Sequence, residues 1–248
     1  MTSNESLTRQ QLESMLDMAS THLNQSLYEP KNDTADYRRA LTRARLAQTI
    51  FVRIQEEANK REGLEDIITG ANRQLPVTLV AQARANYEIG YSRYGEQDSL
   101  DADAENDLKS SFEQYTTANN ALDKFARYFK TQEEQIDLQQ WKEHIFRGWC
   151  NAALLLGSDA QNKGLHAISG KHPTMIPEEA GLNCLNFWDV ALSYYTAIVK
   201  LAEAAKAFGI DMDEYTSVVN PNIEQIKRDA PRLARLVGDT ERAAKYLQ

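Results

Sequence analysis

The chain has 248 residues, of which 42% are hydrophobic and 26% charged, and its formal net charge is −8. This composition is typical of a globular protein and excludes disorder as the dominant state. The negative charge disfavours nucleic acid as a partner, and no run approaches the roughly 18 apolar residues of a membrane span, so we expect no membrane partner. The start of the chain lacks a basic and apolar leader and cysteines are few, so we predict a cytoplasmic protein, with export by a route without a cleaved leader as the alternative.

Helical periodicity dominates the first half of the chain, where capping residues or a proline at the first position mark the helix starts. A short helical turn over 64–68 and a connection at Gly70 are predicted to separate the second helix from the third. The acidic stretch 96–107 is predicted to be a loop that leads into the fourth helix. The predicted helices run, in chain order, from Ser6 or Thr8 to Pro30, from Asp33 or Thr34 to Gly63, from Pro76 to Gly95, and over about 108–129.

In the second half, a fifth helix is predicted to begin at about Glu134 and to be interrupted at Gly157 and Gly164. The longest irregular connection is expected over 164–177. Beyond Gly209, which suits a left-handed cap, two prolines and a glycine are predicted to divide the end of the chain into three short helices: 212–219, 222–237 and 239–247, broken at Pro221, Pro231 and Gly238.

The most apolar predicted helix covers 178–208. Within 186–208 its polar residues are spaced three and four apart, which places them in one narrow stripe: Asp189, Ser193, Thr196, Lys200, Glu203 and Lys206. A helix that is apolar around the rest of its circumference is expected to be enclosed by several neighbours.

No segment alternates β-branched and polar residues between turn signals, so no sheet is expected. We therefore predict an all-α fold of about seven to nine helices, as a single multi-helix bundle or as stacked antiparallel helical hairpins around the central helix 178–208. One domain over 1–248 is expected. In a variant of this prediction, an N-terminal helical hairpin over 1–62 packs on a core bundle over 76–248.

The sequence contains no constellation typical of an enzyme. None of the four histidines follows a glutamate by three residues, as di-iron bundles require, and glycine-rich phosphate loops are absent. Cys150 lies on an apolar face without a cation to activate it. A small polar site could form if the 164–177 connection covers a cleft, from His166, His172, Lys171 and the nearby Asp159. We expect no catalytic residue, no metal and no cofactor, and favour a non-enzymatic protein.

The third helix carries the first surface that is predicted to bind a partner. Tyr87, Tyr91 and Tyr94 are spaced i, i+4, i+7, with Arg84 one turn earlier. Tyrosines supply a large contact area with a polar tip, although the same spacing also fits a seam between helices. Gly90 would let another backbone approach closely in either case.

The second helix carries the other predicted surface. Arg38 and Arg45 are seven residues apart and therefore share a face, where a partner with carboxylates or phosphates could dock. The alternative is that these arginines pair with acidic residues of the chain itself, over 96–107 and 133–137.

The leading hypothesis is a non-enzymatic helical scaffold or adaptor that binds a protein or peptide, or a second copy of itself, in grooves between helices. A structural subunit of a nucleoprotein or other assembly ranks last because of the negative charge. The alternative to the scaffold is an all-helical small-ligand binder or enzyme, with a pocket between helices three to six lined by aromatic residues: Trp141, Trp149, Tyr194 and Tyr195.

Overall fold

A computed structural model describes residues 7–97, 99–172 and 175–246. Within these ranges the chain is all-α, as predicted, with eight α-helices, one short 3₁₀ turn and no strand. The helices are α1 (Arg9–Tyr28), α2 (Thr34–Ala58), α3 (Glu65–Gln97), α4 (Ala102–Phe125), α5 (Gln132–Ile168), α6 (Glu178–Lys206), α7 (Asp213–Leu236) and α8 (Thr240–Lys245), and the 3₁₀ turn is Ala126–Tyr128.

The chain divides into two compact units, Met1–Trp149 and Cys150–Gln248. The division falls within α5, so residues 132–149 belong to the first unit and residues 150–168 to the second. A single domain over 1–248 remains a prediction, as does the variant with a hairpin over 1–62.

The first two helices begin where their capping residues predict. Thr8 caps α1 through a capping box, and Asp33 caps α2 by accepting a hydrogen bond from the backbone N–H of Asp36 (2.8 Å). Both caps satisfy N–H groups that have no partner within the helix. The alternative start at Ser6 lies outside the described residues.

Helix α3 is continuous, so Gly70 and Pro76 lie inside it rather than in a connection. A Cβ on Gly70 would lie 3.2 Å from Cδ2 of Leu16, so this glycine lets α1 approach closely. The predicted break is wrong because apolar residues keep helical spacing through it and are buried in one cluster, which outweighs the local cost of glycine and proline: Leu64, Ile67, Ala71 and Leu75.

The central part of α3 is buried on nearly all sides, because α2 and α4 both pack against it. Even its polar side chains Asn72, Gln82 and Asn86 are at most 4% exposed. A buried amide is tolerated when its hydrogen bonds are made. Each of the three pairs with an amide of a neighbouring helix: Gln55 with Asn72, Gln48 with Gln82 (2.7 Å), and Gln114 with Asn86 (2.9 Å).

Helix α4 begins earlier than predicted, because Asp101 caps it by accepting a hydrogen bond from the backbone N–H of Ala104 (2.7 Å). Much of the stretch 96–107 is therefore helical rather than a loop, although residue 98 lies outside the described residues.

Helix α5 is continuous through Gly157 and Gly164, so the predicted interruptions are wrong and only residues 169–177 remain between α5 and α6, of which 173 and 174 are not described. Both glycines admit an aromatic ring of α6. A Cβ on Gly157 would lie 2.7 Å from Cε1 of Tyr195, and one on Gly164 would lie 2.7 Å from Cδ1 of Trp188. Close packing of the rings offsets the cost of glycine in a helix, about 1 kcal/mol.

Helix α6 is a single unbroken helix, as predicted, and ends just before Gly209, whose φ of +70° provides the left-handed cap. Its enclosure is incomplete, since Phe187 and Val190 are 36% and 44% exposed. The buried side is made of small, aromatic and aliphatic residues: Gly181, Cys184, Leu185, Trp188, Ala191, Tyr195, Ile198, Leu201, Ala202 and Ala205.

Helix α7 continues through Pro221 and Pro231, so the break predicted at each proline is wrong. The helix is held by a buried stripe at helical spacing, which outweighs the backbone hydrogen bonds that the prolines cannot donate. The predicted break at Gly238 is confirmed, with φ of +79°, and α8 follows it. Residue 247, the predicted end of the last helix, lies outside the described residues. The stripe consists of Tyr215, Val219, Ile226, Ala230 and Leu233.

Candidate functional site in the first unit

A concave cleft of about 380 Å³ opens between α2, α3 and α4. The apolar residues Leu41 and Ile89 belong to a small buried cluster at this place. We call this concavity the α2–α4 cleft. Its polar lining comes from all three helices: Arg38 and Arg45 from α2, Asn86 and Arg93 from α3, and Asp103, Asn106, Asp107 and Ser110 from α4.

Gly90 brings α4 close enough to α3 to form this cleft. A Cβ on Gly90 would lie 2.7 Å from Cγ of Leu108 and 3.0 Å from the carbonyl oxygen of Ala104. Nearby, the hydroxyl of Ser111 donates to the carbonyl of Ala83 (2.8 Å). The close backbone approach expected at Gly90 is thus observed, and its partner is α4.

The charges in the cleft are only partly paired. Nη1 of Arg93 lies 3.4 Å from Asp103 and 3.9 Å from Asp101. Burial raises the pKa of Asp107, and Arg93 and Arg38 partly oppose this shift. Arg38 and Arg45 are exposed and form no ion pair with the residues that the structure describes. Two donors of fixed positive charge therefore remain available on one wall.

The tyrosines lie on a different side of α3 from Asn86 and Arg93, as their helical spacing requires. The rings of Tyr87 and Tyr91 are stacked, with centroids 5.8 Å apart and planes inclined by 8°. Tyr91 is 49% exposed, Tyr94 is partly buried and Arg84 is exposed. We call these four residues, Arg84, Tyr87, Tyr91 and Tyr94, the tyrosine face.

Two of the four aromatic residues predicted to line a ligand pocket lie in the first unit. Trp141 lines a cavity of about 370 Å³ together with residues of α1, α3 and α5. Trp149 instead packs edge-on against Phe112, with ring centroids 5.7 Å apart.

The other two lie in the second unit. Tyr195 is fully buried, and its hydroxyl donates to Oε1 of Gln161 (2.8 Å). Tyr194, its neighbour in the chain, is partly buried. The structure therefore assigns Trp141 to a cavity and Tyr195 to the packing between α5 and α6.

Groups capable of metal or covalent chemistry are not brought together within the described ranges. No cluster of three or more His, Cys, Asp or Glu in this part of the chain could hold a metal ion. His166 belongs to the last turn of α5, whereas His172 follows the helix. Both cysteines are buried, and burial raises the pKa of Cys184 to about 12, which opposes formation of a thiolate.

Among the described helices, none is both long and apolar enough to cross a membrane. Comparisons with models of protein families, with curated proteins and with solved structures found no match to this chain. The fold and the cleft alone therefore define the class: an all-α protein with a mixed-charge cleft between three helices of its first unit.

Sequence reasoning placed Arg38 and Arg45 on one face and named the stretch 96–107, which supplies Asp103 and Asp107 to the cleft, as their alternative partner, but it did not join Arg93 to them. Arg93 and the polar residues of α4 join them because α4 as well as α2 packs against α3. The signal that could have found this arrangement is Gly90, since a glycine inside a helix marks a place of close approach.

Proposed function

We propose that the protein is a non-enzymatic helical scaffold that binds an acidic segment of a partner protein in the α2–α4 cleft. The main support is that Arg38 and Arg45 line this cleft and form no ion pair with the described part of the chain. Seven residues of α-helix span about 10.5 Å, so the two guanidinium groups can each engage a different carboxylate of one peptide.

The remaining lining favours a peptide over an isolated anion. Asn106 and Ser110 offer donors and acceptors that suit a peptide backbone. Asp103 and Asp107 would repel a carboxylate placed wrongly, which gives selectivity for the position of the acidic residues. Arg93 already has two acidic neighbours, Asp101 and Asp103, and is therefore less available to a partner.

The tyrosine face is proposed as a further contact surface for a partner. Stacked tyrosines provide a large and rigid contact area at low entropic cost, and Arg84 adds a charged donor beside them. We also propose a cytoplasmic location, which agrees with two buried cysteine thiols.

Fluorescence anisotropy with a panel of labelled peptides tests the proposal. Each peptide carries a pair of glutamates, and the spacing of the pair varies from three to seven residues across the panel. The intact protein is expected to bind at least one spacing. The double substitution Arg38→Gln and Arg45→Gln is expected to weaken binding about tenfold or more, because each charged hydrogen bond contributes about 1.5–3 kcal/mol.

The matched control is the double substitution Arg39→Gln and Arg53→Gln, which removes the same charge from α2 outside the cleft. Arg39 forms an exposed ion pair with Asp36, whose loss has a small effect on stability. Equal weakening by both double variants, or no binding of any acidic peptide, would refute the proposal.

A second candidate function is binding of a small ligand in the cavity around Trp141. The lining is mostly polar and includes the ion pair between Arg73 and Glu134 (2.6 Å), with Leu27 as an apolar contact. A polar ligand with a small apolar part would fit these groups. Ligand-observed NMR with a fragment library tests it: fragments should bind the intact protein and lose binding in Trp141→Ala but not in Trp149→Phe.

A further inference from the structure

A second concavity, of about 490 Å³, lies in the second unit between α6, α7 and α8. Each helix contributes one lysine to its lining: Lys200 from α6, Lys227 from α7 and Lys245 from α8. We call it the lysine pocket. We propose that this pocket binds a small polyanion that carries two or more phosphate groups. The inference concerns a different unit from the peptide cleft and does not depend on the proposed function.

The three lysines lack partners within the described part of the chain, where none of them forms an ion pair or a hydrogen bond. The more buried lysines of the protein behave differently, since Lys142 lies 2.6 Å from Asp123 and Lys163 lies 2.8 Å from Asp159. Like charges gathered from three helices repel one another, and an anion bound among them would reverse this repulsion.

The pocket contains one carboxylate, Asp189, and that group is already engaged. The hydroxyl of Tyr246 donates to its Oδ1, and Nε of Arg242 lies 3.5 Å from its Oδ2. Burial and Asp189 itself both raise the pKa of Tyr246, so its hydroxyl stays protonated as the donor. The three lysines outnumber this single carboxylate, so the lining of the pocket keeps an excess of positive charge.

Arg242 lies next to the pocket and has two acidic neighbours, Asp189 and Asp239, at 3.5 and 3.7 Å. It lines an adjoining concavity that also contains Glu241 and Lys245. Its Nη1 is buried and has no hydrogen-bond partner.

The chemistry of the lining indicates phosphate rather than carboxylate. An ammonium group is a compact charge with three rotatable donors, which suits the oxygens of phosphate, whereas arginine forks match planar carboxylates. The hydroxyl of Thr196 adds a neutral donor, and Leu192 and Ala197 supply apolar surface for the rest of the ligand. The volume fits a small molecule rather than a helix.

Titration calorimetry of the whole protein with tripolyphosphate tests the proposal. We expect one molecule to bind per chain, with an affinity that falls as salt is raised. The double substitution Lys200→Gln and Lys227→Gln should weaken binding about tenfold or more, because two of the three charges are lost. Both side chains are exposed, so circular dichroism should show an unchanged fold.

The control is the double substitution Lys206→Gln and Arg228→Gln. It removes the same charge from α6 and α7 outside the pocket, at groups that lie 3.8 Å from Asp213 and 3.1 Å from Asp229. Its affinity should match that of the unchanged protein. Equal losses of affinity in the two double variants would show a general charge effect and would overturn the proposal. The absence of any binding heat with the unchanged protein would also overturn it.

Vesicle flotation then distinguishes a soluble ligand from a lipid headgroup that carries the same phosphates. Phosphatidylcholine vesicles with and without a phosphatidylinositol bisphosphate are incubated with the protein. If the protein floats with the vesicles that contain phosphatidylinositol bisphosphate, and tripolyphosphate abolishes this flotation, the phosphate groups that the pocket binds are those of a lipid headgroup. Absence of flotation, with calorimetric binding retained, assigns a soluble polyphosphate ligand. Flotation that is the same for the pocket variant and the unchanged protein overturns the assignment to this pocket.

Discussion

Helices α3 and α6 differ in composition and in burial, and the helix with the more apolar sequence is the less completely buried of the two. Helix α6 is the more apolar, yet Phe187 and Val190 remain 36% and 44% exposed on one side of it. Helix α3 carries a proline and several amides, yet its central part is buried on nearly all sides. The number of neighbours, rather than the composition of a helix, decides how far it is enclosed.

Amide pairing makes this arrangement possible in α3. Gln82 and Asn86 are buried because α2 and α4 each bring an amide within hydrogen-bond distance, at 2.7 and 2.9 Å. Buried polar groups cost little when they are satisfied in this way. In α6 the buried side contains almost no polar group and relies on aromatic rings seated on glycines of α5.

The largest expected effect concerns the thiol of Cys184, on the buried side of α6. Its pKa is raised by burial from an ordinary value of 9.0 to about 12, so its thiolate fraction near pH 8 should be about a thousandfold smaller than in the unfolded chain. Alkylation followed by peptide mass spectrometry should show protection in the native protein and rapid modification in denaturant.

The same shift has a defined sign for stability. The folded state favours the neutral thiol, so its contribution to stability is complete below about pH 9 and decreases as the pH rises toward 12. Rapid labelling of Cys184 in the native protein near pH 8 would mean that the buried side of α6 opens, which would break the comparison with α3.

Removal of the Tyr195 ring should have the largest effect on folding. Tyr195→Ala should lower the free energy of unfolding by about 3–5 kcal/mol, because a fully buried aromatic side chain leaves a cavity beside Gly157. Urea denaturation measures the change. The control Tyr195→Phe keeps the ring and loses the contacts of the hydroxyl with Gln161 and Ser158, so it should cost about 1 kcal/mol. Similar losses in both variants would contradict the role of ring packing.

A smaller effect is expected from the amide pair between Gln48 and Gln82. Gln82→Leu should cost about 1–2 kcal/mol, because it leaves the Gln48 amide without its partner. A double-mutant cycle with Gln48→Leu measures the interaction, and the double variant should lose about 1 kcal/mol less than the two single changes together. Strict additivity would show that the pair does not stabilise α3.

The smallest effect is expected on the exposed side of α6. Val190→Ala should change stability by no more than about 0.5 kcal/mol, since Val190 is 44% exposed. Ile198→Ala, the matched truncation on the buried side of the same helix, should cost about 2–5 kcal/mol. If both changes cost the same in thermal or urea unfolding, α6 is covered on all sides, as its composition alone predicts.

The starts of α1 and α2 and the end of α6 were predictable because they depend on local capping chemistry, whereas the starts of α3 and α4 were not. The fold class was predictable because it depends on periodicity. Thr8 and Asp33 cap the helices that begin directly after them, and Gly209 follows the end of α6 in the left-handed conformation. Breaks were not predictable in the same way. Pro76 and Gly157 interrupt a helix when alone, but here buried apolar contacts with other helices outweigh their cost.

The candidate site shows the same limit. The seven-residue spacing of Arg38 and Arg45 is a property of one helix, so it could be deduced directly. The presence of Asp107 and Arg93 in the same cleft depends on how α3 and α4 pack, which no spacing within a single helix encodes.

The two glycine contacts of α5 also restrict how the second unit can move. Gly157 contacts the ring of Tyr195, and Gly164, seven residues later, contacts the ring of Trp188, seven residues earlier. The two helices are therefore antiparallel, and each ring occupies the space left by one glycine. A slide of one helical turn, about 5.4 Å, would drive both rings against larger side chains. Shear between α5 and α6 is thereby blocked, and any rearrangement of the second unit must carry residues 150–168 and α6 together as one body.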